Sequence, residues 1–580
     1  METLATRVDA TPDLPQPQPT QDFVVGIPEA NAQVFFTSEP EAAQPEEVFV
    51  VTLPRSRHNE PDSVRAKEAE LENFEVFDVY EEVKRPQGGN LIDTNWVIVE
   101  KELPDGTIVR KARLTMRGDK EKNKHLIPTD SPTVNKIVLK LMLTLAITKG
   151  WTIRCADITR AFLQTEEITR DVFVIPPKEA NIAPGKVWKL KRAAYGLLDA
   201  SRGFFLNHAS KLTQQGFEAL QMDPATFILK EGNELKAMSA SHVDDTLTIA
   251  EQAKSDEISD FMAKHFKYGE SEHPPCRYLG MNISKEDQEI QIDQNHYTKK
   301  LETPDMTPIN HLKRDDVMPD HFQSTFRSLA SKLNQLAMSA RPDLMFDAKV
   351  LTTKYGSATK RDLLKAIKIA KRVKDEDTLL TLPNIGEIED WILVGVTDAS
   401  KKSANEVFSV GGYVIMLVNK VTSRASVLTW SSKKINRVCS SSLAAETLSL
   451  QKLAGNMFFV RQILKQMFGS KADDIPGLAI TDNQDLFSCV HNLKPCEDKR
   501  LLADIISIKQ AIIDDKTITE LRYVPKEEMI ADCLTKTGKP GNDLLTIVRT
   551  GVYQIPGGVH IRDSTKMNVR TWQQLMNAET

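Results

Sequence analysis

The stretch "SASHVDDTLTIA" (239–250) sets two adjacent carboxylates, Asp244 and Asp245, in an otherwise uncharged segment, with Val243 before them and Leu247, Ile249 and Ala250 after. Its apolar pattern reads as a half-buried strand. Such a strand tolerates two neighbouring like charges only where they lie at its end, in a turn or beside a cation. A second short β-rich run, "WTIRCADI" (151–158), also ends in a carboxylate, Asp157. Strand-end carboxylates of this kind often meet at one edge of a sheet. Taken alone, Asp-Asp in a hairpin is more often an acidic surface turn than a site, and the order of the neighbouring segments is what argues against that.

Those segments are "DITRAFL" (157–163), "AAYGLLDASRGFF" (193–205), "HVDD" (242–245) and "RYLGMNI" (277–283). The series resembles the reverse transcriptase of copia-type (Pseudoviridae) LTR retrotransposon Pol polyproteins, where D-x-x-x-A-F-L, Y-G-L-x-x-A-x-R and x-V-D-D segments follow at comparable intervals. The resemblance implies that Asp157, Asp244 and Asp245 are catalytic metal ligands. They would hold two Mg2+ ions, with Mn2+ an alternative, for in-line phosphoryl transfer. Upstream, "RKARLTMRGDK" (110–120) resembles the fingers of that family, which implies that Lys111 and Arg113 meet the incoming triphosphate, with Arg117 a weaker candidate. By the same resemblance Phe162 lies under the nucleotide sugar, Gly196 and Arg202 belong to a nucleotide-facing segment, and "RYLGMNI" grips the primer end. Two positions depart from the family pattern. His242 stands where an aromatic residue is usual, and Ser201 replaces a proline. Neither removes a ligand.

A second ordered set of acids follows: Asp398 ends the strand-like "LVGVTDAS", Glu446 lies early in the helix-like "SSLAAETLSL", Asp482 ends "LAITDNQ", and Asp532 sits in "EEMIADCLTK". Each has an ordinary explanation alone; Asp482, for example, could cap a helix. Their order, together with "WSSKK" (430–434) and "ADCLTK" (531–536), resembles the RNase H domain of the same polyproteins. The resemblance implies four metal-binding catalytic carboxylates. The basic segment that usually carries a His before the last strand is represented here by Lys499 and Arg500 without one.

Between the two sets, Arg361, Lys365, Lys368 and Arg372 recur at helical spacing and form a basic stripe, suited to neutralising phosphates or simply to solvation. The preceding "FRSLASKLNQLAMSARPDLMFDAKVL" resembles the region joining polymerase to nuclease, which favours template–primer contact.

The net charge of −5 conceals an uneven distribution: residues 1–80 carry 16 acidic and 5 basic residues, a net of −11, which leaves +6 for the remainder. Residues 1–62, rich in Pro, Gln and Glu, lack the apolar content to fold and are expected to be a disordered acidic arm. No run is apolar enough to span a membrane and no secretory h-region is evident. The six cysteines have no zinc spacing and read as reduced thiols of an intracellular protein.

The expected architecture is an α+β polymerase right hand (fingers, palm, thumb/connection) followed by an α/β RNase H-like domain. Fingers and palm are expected over 63–300, a helical thumb or connection over 301–388, the RNase H-like domain over 389–540, and a tail without a reading over 541–580. "NKIVLKLMLTLAITKG" (135–150) reads as an amphipathic helix. The expected function is RNA- and DNA-directed DNA synthesis coupled to RNase H. The partners would be an RNA template, a DNA primer, RNA–DNA hybrid and dNTPs, with other element proteins such as capsid and integrase as further partners. The expected location is the cytoplasm, in virus-like particles, and the nucleus. With no protease signature, zinc knuckle or integrase zinc module, the chain looks like the C-terminal part of a larger polyprotein or a truncated gene. The alternatives are a decayed or co-opted element protein that binds nucleic acid without catalysis, and a plain metal-dependent nuclease.

Overall fold

The computed structural model describes residues 51–102, 107–401, 408–536, 538 and 541–560. Most of the acidic arm, residues 103–106 and the end of the tail lie outside them. In chain order the elements are β1 (Val51–Thr52), α1 (Pro61–Val76), β2 (Tyr80–Lys84), β3 (Leu91–Ile92), β4 (Thr94–Glu102), β5 (Ile108–Met116), α2 (Lys136–Lys149), β6 (Thr152–Ile158), β7 (Phe173–Val174), β8 (Lys186–Leu190), α3 (Ala200–Gln214), β9 (Glu218–Ala219), β10 (Thr226–Glu231), β11 (Glu234–His242), β12 (Asp245–Ala250), α4 (Gln252–His265), β13 (Tyr268–Glu272), β14 (Cys276–Tyr278), β15 (Met281–Glu286), β16 (Glu289–Asp293) and α5 (Asn295–Lys299). The second half adds α6 (Asp320–Ser339), α7 (Met345–Thr352), α8 (Lys360–Asp375), β17 (Leu380–Pro383), β18 (Trp391–Ser400), β19 (Val410–Asn419), β20 (Ala425–Lys434), α9 (Ser442–Phe468), β21 (Gly477–Thr481), α10 (Gln484–Val490), α11 (Leu502–Ile513), β22 (Glu520–Tyr523), α12 (Asn542–Thr550) and β23 (Val559–His560).

Two six-stranded sheets carry the acids. The first has the order β13-β6-β12-β11-β10-β9, with every pairing antiparallel. The second has the order β20-β19-β18-β21-β22-β23. Its β18, β21 and β22 are parallel and its other pairings antiparallel. Strands β1, β4 and β5 form a separate antiparallel sheet. A four-stranded sheet β14-β15-β16-β17 links the halves of the chain.

Helix α2 begins where the Asn135 side chain accepts a hydrogen bond from Ile137 N and ends at Gly150 in the left-handed conformation (φ 67°). The sequence reading of an amphipathic helix is corrected here: every residue from Ile137 to Ile147 is buried. Surrounded by β12, β16, β17 and β20, α2 has no solvent face, and its apolar residues serve all sides. Helix α8 is amphipathic as read. A reciprocal capping box of Thr359 and Asp362 starts it, and Leu363, Ala366, Ile367, Ala370 and Val373 face inward.

Three boundaries differ from the sequence expectations. Order begins before residue 63, because Val51–Thr52 pairs with β4 and Leu53 N donates to Ile98 O (2.8 Å). The tail expected from 541 onward instead contributes α12, which packs on β17 and β20, and β23, which closes an edge of the second large sheet. No break falls near 388. Strand β17 pairs with β16, and one hydrophobic core runs from α2 through α6 and α8 into β18, β19 and α9. The six cysteines are free thiols.

Candidate active sites

The first site is built on a hairpin. His242 and Asp245 face each other across β11 and β12, so Val243 and Asp244 are the two residues of the turn. Val243 adopts φ 55°, an unfavourable conformation for a β-branched residue. On the neighbouring strand Asp157 is the register partner of Asp245, and Ile158 N donates to Asp244 O (2.9 Å). Carboxylate oxygens of Asp157, Asp244 and Asp245 all lie within 4.8 Å of one another, with Asp157 exposed and the other two half-buried. Gly269 on β13 keeps the flank open, since a Cβ there would sit 2.9 Å from Asp157 Oδ2. Three acids at this spacing, with oxygen donors only, fit one or more Mg2+ ions.

Lys111 and Arg113 alternate on the exposed face of β5, opposite the buried Ala112, Leu114 and Met116. The Arg113 guanidinium lies over the Tyr195 ring (5.7 Å), and Phe162 meets that ring edge-on (5.3 Å). Burial raises the Tyr195 hydroxyl above its ordinary pKa, with Glu70 adding to the effect. Tyr195 went unassigned in the sequence reading, although it lies inside the quoted "AAYGLL" segment. Gly196 (φ 88°) serves a backbone contact: Met116 N donates to Tyr195 O (2.6 Å), and a Cβ at 196 would lie 2.2 Å from Met116 O. Arg202 donates to Asp130 O (3.2 Å).

The second site lies at the C-terminal ends of two adjacent parallel strands. Asp398 is near the end of β18, Asp482 directly follows β21, and Glu446 comes from the second turn of α9, whose start is capped by Ser441 Oγ accepting from Ala444 N (3.1 Å). Asp398, Glu446 and Asp482 bring oxygens within 4.8 Å of one another. Burial pushes Asp398 up to about 6, against the opposing pull of Lys536. Burial also raises Asp482, and raises Glu446 further with help from Asp398 and Asp482. Glu446 Oε2 is buried without a hydrogen-bond partner among the described residues. An orphaned carboxylate oxygen among three crowded acids fits a divalent cation.

Asp532 falls outside this tight group of three, in a departure from the expected set of four. It pairs with Lys536, whose Nζ also lies 3.2 Å from Asp398 Oδ1. Lys536 is a residue the sequence reading left without a role, although it ends the quoted "ADCLTK" segment.

The basic stripe of α8 is largely paired. Arg361 bridges Asp315 (2.7 Å), Lys365 bridges Asp347 (2.7 Å) and Arg372 reaches Asp343 (3.2 Å). Lys368 is exposed and has no ion-pair partner among the described residues.

Residues 77–314 match the family described as "Reverse transcriptase (RNA-dependent DNA polymerase)", and the acids of the first site fall inside the matched segment. The chain is similar to retrovirus-related Pol polyproteins of plant transposons. It is 25 % identical over 479 residues to "Retrovirus-related Pol polyprotein from transposon RE2" of Arabidopsis thaliana, which covers 78 % of this chain and 31 % of the relative. It is 23 % identical over 429 residues to that from transposon TNT 1-94 of Nicotiana tabacum, over 70 % of this chain and 32 % of the relative. The chain thus spans about a third of the length of these curated relatives. Among solved structures, a foamy viral protease-reverse transcriptase in complex with RNA/DNA hybrid overlaps 81 % of this chain and 55 % of its own at 14 % identity, with a TM-score of 0.43. LC11-RNase H1 in complex with RNA/DNA hybrid overlaps 24 % of this chain and 92 % of its own at 18 % identity, with a TM-score of 0.20.

Proposed function

We propose that the protein is an RNA- and DNA-directed DNA polymerase whose second site is an RNase H. The reading is supported by two separate groups of three carboxylates, each with oxygens within 4.8 Å, at the strand ends of two different sheets. In this reading the β1-β4-β5 sheet is the fingers, the sheet of β6 and β12 the palm, α6–α8 the thumb or connection, and β18–β23 the nuclease, in a right-hand arrangement. Bound Mg2+, or Mn2+ in its place, would lower the pKa of the attacking oxygen and stabilise the leaving oxygen.

The chain's own residues do the rest. Asp244 and Asp245 at the hairpin and Asp157 on the adjoining strand present oxygens to one place, and the strand pairing on either side holds Val243 in its unfavourable conformation. Lys111 and Arg113 offer cationic charge to a dNTP triphosphate. Phe162 and Tyr195 form an aromatic floor beside them, which would sense the sugar. In the second site Asp398, Glu446 and Asp482, with Asp532 alongside, would act on the RNA strand of a hybrid. The α8 stripe would follow the phosphate backbone of the template–primer duplex. Action inside the cell, in a particle or the nucleus and alongside capsid and integrase, fits this reading. No helix among the described residues is long and apolar enough to cross a membrane.

The test is primer extension on an RNA template and cleavage of the RNA strand of a hybrid, both with Mg2+. Asp244→Asn should abolish extension and leave cleavage, and Glu446→Gln should do the reverse. A second reading, a co-opted protein that binds nucleic acid without turnover, is motivated by His242 at the usual aromatic position. It predicts salt-sensitive hybrid binding and neither activity in folded protein.

A further inference from the structure

The turn Ile530–Leu534 is pressed onto β18 and β19. Gly412, the register partner of Asp398, makes this approach possible: a Cβ there would lie 2.7 Å from Leu534 Cβ and 2.8 Å from Thr535 Cγ2. The close docking fixes the backbone leading into Lys536, whose side chain is half-buried. The Lys536 ammonium lies 3.2 Å from both Oδ1 and Oδ2 of Asp398 and is also paired with Asp532. Thr535 Oγ1 donates to Asp398 Oδ2 as well. Asp398 oxygens are thus engaged by a cation already present in the chain, although Asp398 also belongs to the group that fits a divalent metal. One ammonium does not satisfy the whole cluster, because Glu446 Oε2 keeps no partner among the described residues.

We propose that Lys536 is a displaceable counter-cation of the second site: it bridges Asp398 and Asp532 in the metal-free protein, competes with the divalent cation for Asp398, and swings off Asp398 when the metal binds. The inference rests on reading the second site as a metal centre. An ammonium suits this role, being a compact charge on a flexible stem that can leave one carboxylate and stay with another. Lys536 is here a positioning residue that keeps crowded carboxylates together until the metal arrives.

The experiment uses the full chain with Asp157→Asn, Asp244→Asn and Asp245→Asn, so that metal binding reports on the second site alone. Mn2+ is titrated without nucleic acid and free Mn2+ is read by electron paramagnetic resonance. Lys536→Gln should bind Mn2+ about tenfold more tightly than the parent, because a positive charge competing for the same carboxylate is removed. Lys536→Arg, which keeps the charge, should stay near the parent. Equal or weaker binding by Lys536→Gln overturns the proposal. Should that variant fail to fold, amine labelling of Lys536 in the parent, read by mass spectrometry, decides: reactivity should rise severalfold on saturation with Mn2+. Mn2+ binding with unchanged Lys536 labelling sinks the lysine's role alone. A parent that binds no Mn2+ overturns both this proposal and the metal reading beneath it.

Discussion

The ammonium of Lys140 lies 3.9 Å from the centre of the Trp430 ring, joining α2, in the half that carries the first acid group, to β20, in the half that carries the second. Trp430 is held in turn by its indole N–H, which donates to Ala337 O on α6 (2.8 Å). Burial, with Lys136 adding to it, pushes Lys140 down to about 7. The unfolded chain therefore binds this proton more tightly than the folded one. Stability should rise as pH increases from about 7 toward the ordinary lysine range near 10, and be insensitive to this group below 7. Lys140→Met should remove that slope. At pH 7 it should raise stability by roughly 2 kcal/mol, the desolvation cost outweighing the cation–π contact. Urea midpoints at pH 6, 7.5 and 9 check both statements.

Gly196 sets the position of the loop that carries Tyr195. With φ 88° and only 2.2 Å between a would-be Cβ and Met116 O, alanine cannot be accommodated without moving the end of β5. Gly196→Ala should cost roughly 3 kcal/mol. It should also raise KM for dNTP more than it lowers kcat, because Lys111 and Arg113 lie on the displaced strand. Steady-state extension kinetics at varied dNTP, together with thermal unfolding, test it.

The two acid groups lie in different sheets, which makes their chemistry separable. Asp244→Asn should lower extension by at least about 10³-fold, and Glu446→Gln should lower RNA cleavage by a similar factor, with the other activity within about twofold. Loss of both activities in either single variant would argue against two independent centres.

The α8 stripe yields a graded expectation. Lys368 is exposed and has no ion-pair partner among the described residues, so Lys368→Glu should weaken hybrid binding several-fold and reduce the salt slope by about one. Arg361 is already engaged by Asp315 at 2.7 Å, so Arg361→Gln should cost less. Binding measured from 50 to 200 mM salt distinguishes the two. Equal slopes for wild type and Lys368→Glu would remove α8 from the interface.

Much of this was legible in the sequence because the signals are local. The run "HVDD" between apolar residues, the strand-end positions of Asp157, Asp398 and Asp482, the Gly150 stop and the α8 periodicity each depend on a few neighbouring residues. Asp157, Asp244 and Asp245 do meet, and so do Asp398, Glu446 and Asp482.

Other features depend on residues far apart in the chain and left no local trace. Asp532 stands off from its expected group and pairs with Lys536. Residues 542–550 looked like a tail because the surface they cover is made by β17 and β20. Helix α2 looked amphipathic until the packed elements around it removed its solvent side. The sequence by itself determined which carboxylates could serve and on which kinds of element they ride, since propensity and periodicity act over a few residues. Only the tertiary structure decided which oxygens come within 4.8 Å, which cation already contacts them, and that one core joins both halves. Those outcomes are set by burial and charge across long sequence separations, where no single segment carries the answer.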